Sequence, residues 1–183
     1  SVKSGCRDFR QTDFRVCDAT DNPISHWLQL ELTRDLFNSK KEKLILGAEM
    51  FESDNQVILN EYLSGLISQK SFEEEARLWP NYKTDYKALV ELAKTNNLIF
   101  VASNVPRRYA SLVNSKGFEG LEELSEEAKT FIPPLPIKYD PELNCYKSMM
   151  EMEGMGPHIT PNFPKAQAIK DATMAYFILK NWS

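Results

Sequence analysis

The sequence predicts a helix-rich α/β fold, with a small, mainly parallel sheet flanked by helices, on the strength of three observations. Leu44-Ile45-Leu46-Gly47-Ala48 is an uncharged run that meets Glu49 and Glu52 and then the capping residues Ser53-Asp54, the pattern of a strand buried on both faces and followed by a helix. The same grammar returns at Leu98-Ile99-Phe100-Val101-Ala102, which passes through Ser103-Asn104-Val105 into Pro106-Arg107-Arg108 at the mouth of a helix. Around these two runs apolar residues fall at helical spacing, and strands that alternate with helices build parallel sheets. Polar groups at the carboxyl ends of such strands stand where open α/β sheets hold their ligands.

With 183 residues and 42% hydrophobic content, the chain is long enough for one domain with a true core. Its net charge of -4 provides no broad cationic surface, so nucleic acid is not an expected partner. No run approaches the roughly 18 apolar residues of a membrane span. The expectation is therefore a cytosolic protein or one whose signal has been removed. Ser4-Gly5-Cys6 resembles the tail of a bacterial lipoprotein signal, although nothing apolar precedes it. The three cysteines, Cys6, Cys17 and Cys145, are odd in number and widely spaced, and specify neither a disulfide framework nor a zinc site.

Taken in order, residues 1–20 carry little period, and Phe14-Arg15-Val16-Cys17 is at most a weak strand. Asp21 or Asn22 can cap a helix that opens at Pro23, with Ile24, Trp27, Leu28, Leu32 and Leu36 as its apolar stripe. After the first strand a helix is expected over 54–64, with Val57, Ile58 and Tyr62 inward and Gly65 as its stop. Ser71-Phe72-Glu73-Glu74 reads as a capping box, Leu78-Trp79-Pro80-Asn81-Tyr82 as an aromatic turn, and Thr84 or Asp85 as the start of a helix carrying Tyr86, Leu89, Val90 and Ala93.

Beyond the second strand, Pro106 to Ser115 predicts a helix closed by Gly117, and Leu121, Leu124 and Ala128 a further helical segment. Ile132-Pro133-Pro134-Leu135-Pro136 cannot be helix interior and reads as an extended crossing. Met149, Met150, Met152 and Met155, with Gly154, Gly156, Pro157 and His158, predict a flexible apolar loop. The last helix opens at Asn162 and Pro164 and carries Ala166, Ile169, Ala172, Thr173, Tyr176 and Phe177. Two strands do not make a stable sheet, so others are expected from the N-terminal segment, from around Phe118, or from beyond the chain's end.

Glu49 ends an apolar strand and is a candidate functional carboxylate, with the alternative that it caps a helix or pairs with Arg107 or Arg108. Arginine at a helix start opposes the dipole, so Arg107 and Arg108 hint at an anion to be met there. Of the two histidines, His26 lies beside the Trp27 and Leu28 stripe and reads as structural, whereas His158 lies in the methionine loop and is open to a ligand. Tyr139 and Tyr146 flank that loop, and a tyrosine phenolate can ligate ferric haem. Neither H-E-x-x-H, G-x-S-x-G, a P-loop nor a dinucleotide fingerprint occurs.

Gly47-Ala48-Glu49-Met50-Phe51 with Asn55-Gln56, Leu63-Ser64-Gly65, Trp79-Pro80-Asn81-Tyr82 with Asp85-Tyr86, Asn104-Val105-Pro106-Arg107-Arg108, and Ala166-Gln167-Ala168 with Asp171 to Ala175 together resemble the ChaN-like haem-binding lipoproteins. That superfamily is shared with Tiki proteases and erythromycin esterases. The resemblance implies an α/β fold, an iron-regulated protein of the bacterial cell envelope, periplasmic or an outer-membrane lipoprotein, that works with haem-uptake components. It also implies haem sandwiched in a homodimer, with tyrosine ligation and a histidine nearby.

On this footing the cofactor-binding set is Tyr146, His158, Tyr139, Arg107, Arg108, Glu49, His26 and Met155, with Tyr146 on the haem iron and no catalytic residue. Cys17-Asp18-Ala19-Thr20 stands where the family's first strand carries a Gly-Glu-x-His signature, and the closing Gly-x-x-His segment is absent from the chain. Binding is therefore expected rather than catalysis, within a single ChaN-like domain over residues 1–183. The alternative is a metal-dependent hydrolase of the Tiki or erythromycin esterase type, with Glu49 as base or ligand.

Overall fold

A computed structural model describes residues 22–151 and 160–181. The chain runs α1 (Pro23–Lys40), β1 (Ile45–Glu52), α2 (Gln56–Leu63), α3 (Gln69–Glu75), α4 (Lys87–Thr95), β2 (Ile99–Asn104), α5 (Arg107–Lys116), α6 (Glu126–Lys129), α7 (Asn144–Glu151) and α8 (Phe163–Lys180), with short 3-10 and π turns between. The helix-rich α/β class is confirmed: among the described residues β1 and β2 form a two-stranded parallel sheet flanked by helices. None of these helices is long and apolar enough to cross a membrane.

Both strands lie where the uncharged runs predict them, but their burial differs from the expectation. β2 is buried from Phe100 onward, whereas β1 is buried only over Met50, Phe51 and Glu52, and Gly47 and Glu49 are exposed. The register pairs Ile45 with Ile99 through Ala48 with Ala102 and resumes at Glu52 opposite Asn104, so residues 49–51 form an irregularity that bends the carboxyl end of β1. Successive residues of β2 face opposite layers. Phe100 and Ala102 enter a core with Phe51, Leu59, Tyr62, Phe72 and Val90. On the other face Val101 and Gly47 meet α8, where a Cβ on Gly47 would lie 3.7 Å from Ile178.

Phe72 ties the first core together, stacked on Tyr62 at 4.5 Å between ring centroids and edge-on to Tyr82 at 6.1 Å. A second core joins α5, α8 and the segment between them through Val105, Tyr109, Val113, Leu121, Ile132 and Ile169. Each such side chain contributes about 1.5–3 kcal/mol by leaving water. One side chain does the work of a strand. The Gln56 amide donates to the Phe100 carbonyl at 2.9 Å and accepts from the Ala102 N–H at 2.7 Å, the two bonds that a neighbouring peptide would make on the outer edge of β2.

Several local expectations are corrected. The first part of the α1 apolar stripe does not face inward: Ile24 and Trp27 are 73% and 61% exposed, Leu32 and Leu36 are half-buried, and the buried positions are His26 and Thr33. His26 takes the inward face because its ring packs edge-on against Tyr86 at 4.8 Å and its Nδ1 lies 3.4 Å from Gln29 Oε1. α3 is capped by Ser68, which accepts from Ser71 N at 3.1 Å, so Ser71 sits inside the helix rather than at its cap. Val57 points outward, and Leu59 takes the core position beside Tyr62. Phe118 opens a 3-10 turn rather than a strand. Met149 and Met150 belong to α7, while Met152, Met155 and His158 lie outside the described residues.

Candidate functional site

Tyr146 sits in the first turn of α7, half-buried against α8. Its hydroxyl donates to Asp171 Oδ2 at 3.0 Å, and Asp171 Oδ1 accepts from Gln167 one helical turn earlier at 2.9 Å. Tyr139 arrives on the extended segment before α7 and lays its ring 5.2 Å from that of Tyr146. Phe118 closes the row, 5.8 Å from Tyr139. Burial first, and the Asp171 charge second, push the Tyr146 phenol well above its ordinary value. Burial together with Asp140 raises Tyr139 as well. The two predicted tyrosines are thus brought together, with aromatic faces on one side and a carboxylate on the other.

The predicted arginines stand elsewhere, at the carboxyl ends of the strands. Arg107 donates through Nε to Glu52 Oε1 at 2.6 Å, and Arg77 donates through Nε to Glu52 Oε2 at 3.0 Å. Asp54 accepts from both Arg77 and Arg108, and the Arg108 guanidinium lies 4.5 Å over the Tyr109 ring. Glu52 is only 4% exposed. Because Arg77 and Arg107 each hold one oxygen and both reach solvent, loss of either leaves Glu52 with a partner and costs less than the about 3–5 kcal/mol of a buried charge left uncompensated. The ion-pair partners of Arg107 and Arg108 are therefore Glu52 and Asp54, the residues three and five beyond Glu49.

Glu49 itself is exposed, and its backbone carbonyl accepts from Asn104 Nδ2 at 3.0 Å. His26 is in the α1 layer with Asp85 Oδ2 at 3.6 Å, apart from the tyrosine row. Among the described residues no group of three or more His, Cys, Asp or Glu side chains converges to hold a metal ion. Sequence reasoning missed Asp171, Gln167, Glu52, Asp54 and Arg77 as site members. Asp171 and Gln167 lay within a motif that was recognised, and their i, i+4 spacing was the available signal. Arg77 carried none, because its partners lie 25 and 23 residues away.

Haem asks for an axial donor, apolar ring faces and tolerance of a planar macrocycle. Tyr146 offers an oxygen donor, and Tyr139 and Phe118 offer ring faces beside it, so the residues fit the group. The family model for haem-binding uptake, Tiki superfamily, ChaN, matches residues 16–183. No curated protein and no solved structure matches the chain.

Proposed function

As a member of the haem-binding uptake family of the Tiki superfamily, to which ChaN belongs, the chain is one that we propose binds haem for acquisition of the group or its iron, without catalysing a reaction on it. The observation that carries this reading is the Tyr146 phenol, half-buried between Asp171 and the Tyr139 ring. Bound haem supplies a ferric centre that takes an oxygen ligand. Tyr146 would provide that oxygen, with Asp171, held by Gln167, orienting the phenol and standing where it can take the phenolic proton. Tyr139 and Phe118 would offer the macrocycle aromatic faces.

Arg107 and Arg108 spend part of their hydrogen-bonding capacity on Glu52 and Asp54, so propionates meet only what these two leave over. His158 and Met155, outside the described residues, belong to the same reading, the first as a second candidate donor and the second as apolar cover. A bacterial envelope location, a homodimer that sandwiches haem, and uptake components as partners complete the reading. Haemin titration tests it: a Soret band that develops at micromolar haemin and shifts in Tyr146→Phe supports the assignment, and a flat difference spectrum defeats it.

A metal-dependent hydrolase is the second reading, favoured by the exposed Glu49 at the bent end of β1. Metal analysis of the purified protein, together with hydrolysis by Glu49→Gln, separates the two. A bound divalent ion and a hydrolytic activity lost in the variant move the assignment to catalysis.

A further inference from the structure

The carboxyl end of the sheet carries polar groups that the tyrosine row does not use. Asn104 is the last residue of β2, is 9% exposed, and stands opposite Glu52 in the register. Its Nδ2 donates to the Glu49 carbonyl at 3.0 Å, which fixes the amide, because the reversed orientation sets oxygen against oxygen. Among the described residues Oδ1 finds no hydrogen-bond partner and is left as a buried acceptor. Asn55, 5% exposed in the turn that leaves β1, has the complementary fault, a buried Nδ2 donor without a partner. Buried amides are almost always paired. Two unpaired groups of opposite kind, at the end of an open parallel sheet, call for a group that both accepts and donates.

Charge narrows the choice. Arg77, Arg107 and Arg108 converge on Glu52 and Asp54, three cations against two anions. α5 begins at Arg107 with no side chain capping its N-terminus, so its first amides and its dipole favour a further anion. Arg107 engages Glu52 through Nε, and its terminal nitrogens extend on a side chain that is 64% exposed.

We propose that this end of the sheet binds a phosphate group that keeps one hydroxyl. Arg107 and the α5 N-terminus take its charged oxygens, Asn55 donates to another, and Asn104 accepts from the P–OH. This inference goes beyond haem binding and does not depend on it.

Titration of the whole chain with inorganic phosphate, a phosphate monoester or sulfate, at matched ionic strength and neutral pH, tests the proposal by amide NMR and calorimetry. Inorganic phosphate is expected to move the Asn55 and Asn104 side-chain amide signals and to bind about tenfold tighter than sulfate, which carries no proton to donate. The monoester, most of which carries no P–OH at neutral pH, is expected to bind more weakly than inorganic phosphate, and a monoester that binds as tightly or tighter overturns the role given to the hydroxyl. Arg107→Gln weakens phosphate binding about tenfold, and Arg107→Lys less so. Arg34→Gln, in the exposed pair with Glu31 on α1, leaves it unchanged. Equal responses to phosphate, sulfate and chloride overturn the proposal, as does phosphate binding that survives Arg107→Gln. Should Arg107→Gln fail to fold, the phosphate-to-sulfate ratio of the unaltered chain decides alone.

Discussion

Single side chains in the first core show how burial without a partner sets energy. The Tyr82 hydroxyl is buried and has no hydrogen-bond partner among the described residues, so the phenol bears a desolvation cost with no return. Tyr82→Phe is expected to stabilise the fold by about 1 kcal/mol in urea unfolding, since it deletes only the unsatisfied group. Tyr62 differs, because its hydroxyl bonds Glu91 and Lys94 lies 3.6 Å over its ring. Burial and the neighbouring carboxylates raise both phenols above the ordinary value of about 10.

A folded pKa above the unfolded one means that the native state keeps its protons longer. The associated stability is whole below pH of about 10 and is lost as pH rises through the folded values. Unfolding free energy should therefore fall on the alkaline side, and Tyr82→Phe should flatten part of that fall. A slope unchanged in the variant assigns the effect to other groups.

Tyr146→Phe is the corresponding test for the ligand. Loss of the donor oxygen is expected to weaken haem binding by about 1–3 kcal/mol, comparable to a hydrogen bond to a charged group, with an altered ferric spectrum. If the spectrum is unaltered there but lost in Tyr139→Phe or His158→Ala, the donor is one of those two.

At the level of elements, Gln56 decides how β2 ends its sheet. Gln56→Ala removes two hydrogen bonds and leaves the Phe100 carbonyl and Ala102 N–H without a partner, at a cost of about 1–3 kcal/mol by chemical denaturation. A loss within a few tenths of a kcal/mol shows that water replaces the amide. The two strands and most helices were legible in the sequence because an uncharged run or an apolar period announces itself within a few residues. The inward face of α1 was not, because Ile24, Trp27 and Leu28 have helical spacing whichever way the helix is turned. Contact with Tyr86 and Asp85, some 60 residues away, selects His26 instead. The same limit hid Arg77, whose partners exist only once β1 and α3 have folded together. Tyr146 could be named from its residue type, but its bond to Asp171 is a product of α7 packing on α8.

For the whole molecule, haem stoichiometry carries the most information. A half-buried tyrosine can supply one axial oxygen and cover one side of the macrocycle, and a second copy related by symmetry would cover the other. One haem per two chains, with dimer mass in light scattering only when haemin is present, is the expected result for a sandwiched group. One haem per chain on a monomer removes the homodimer from the reading.

The Gln56 amide has a further consequence, for the direction in which the sheet can grow. An amide that already satisfies Phe100 and Ala102 leaves an incoming strand nothing to bond at the centre of that edge, much as a charged or covered edge blocks unwanted association. Among the described residues no side-chain amide takes the matching place on the free edge of β1. A strand added on that edge, from this chain or from another, would run beside Gly47 and Glu49 and so change the surroundings of Glu49.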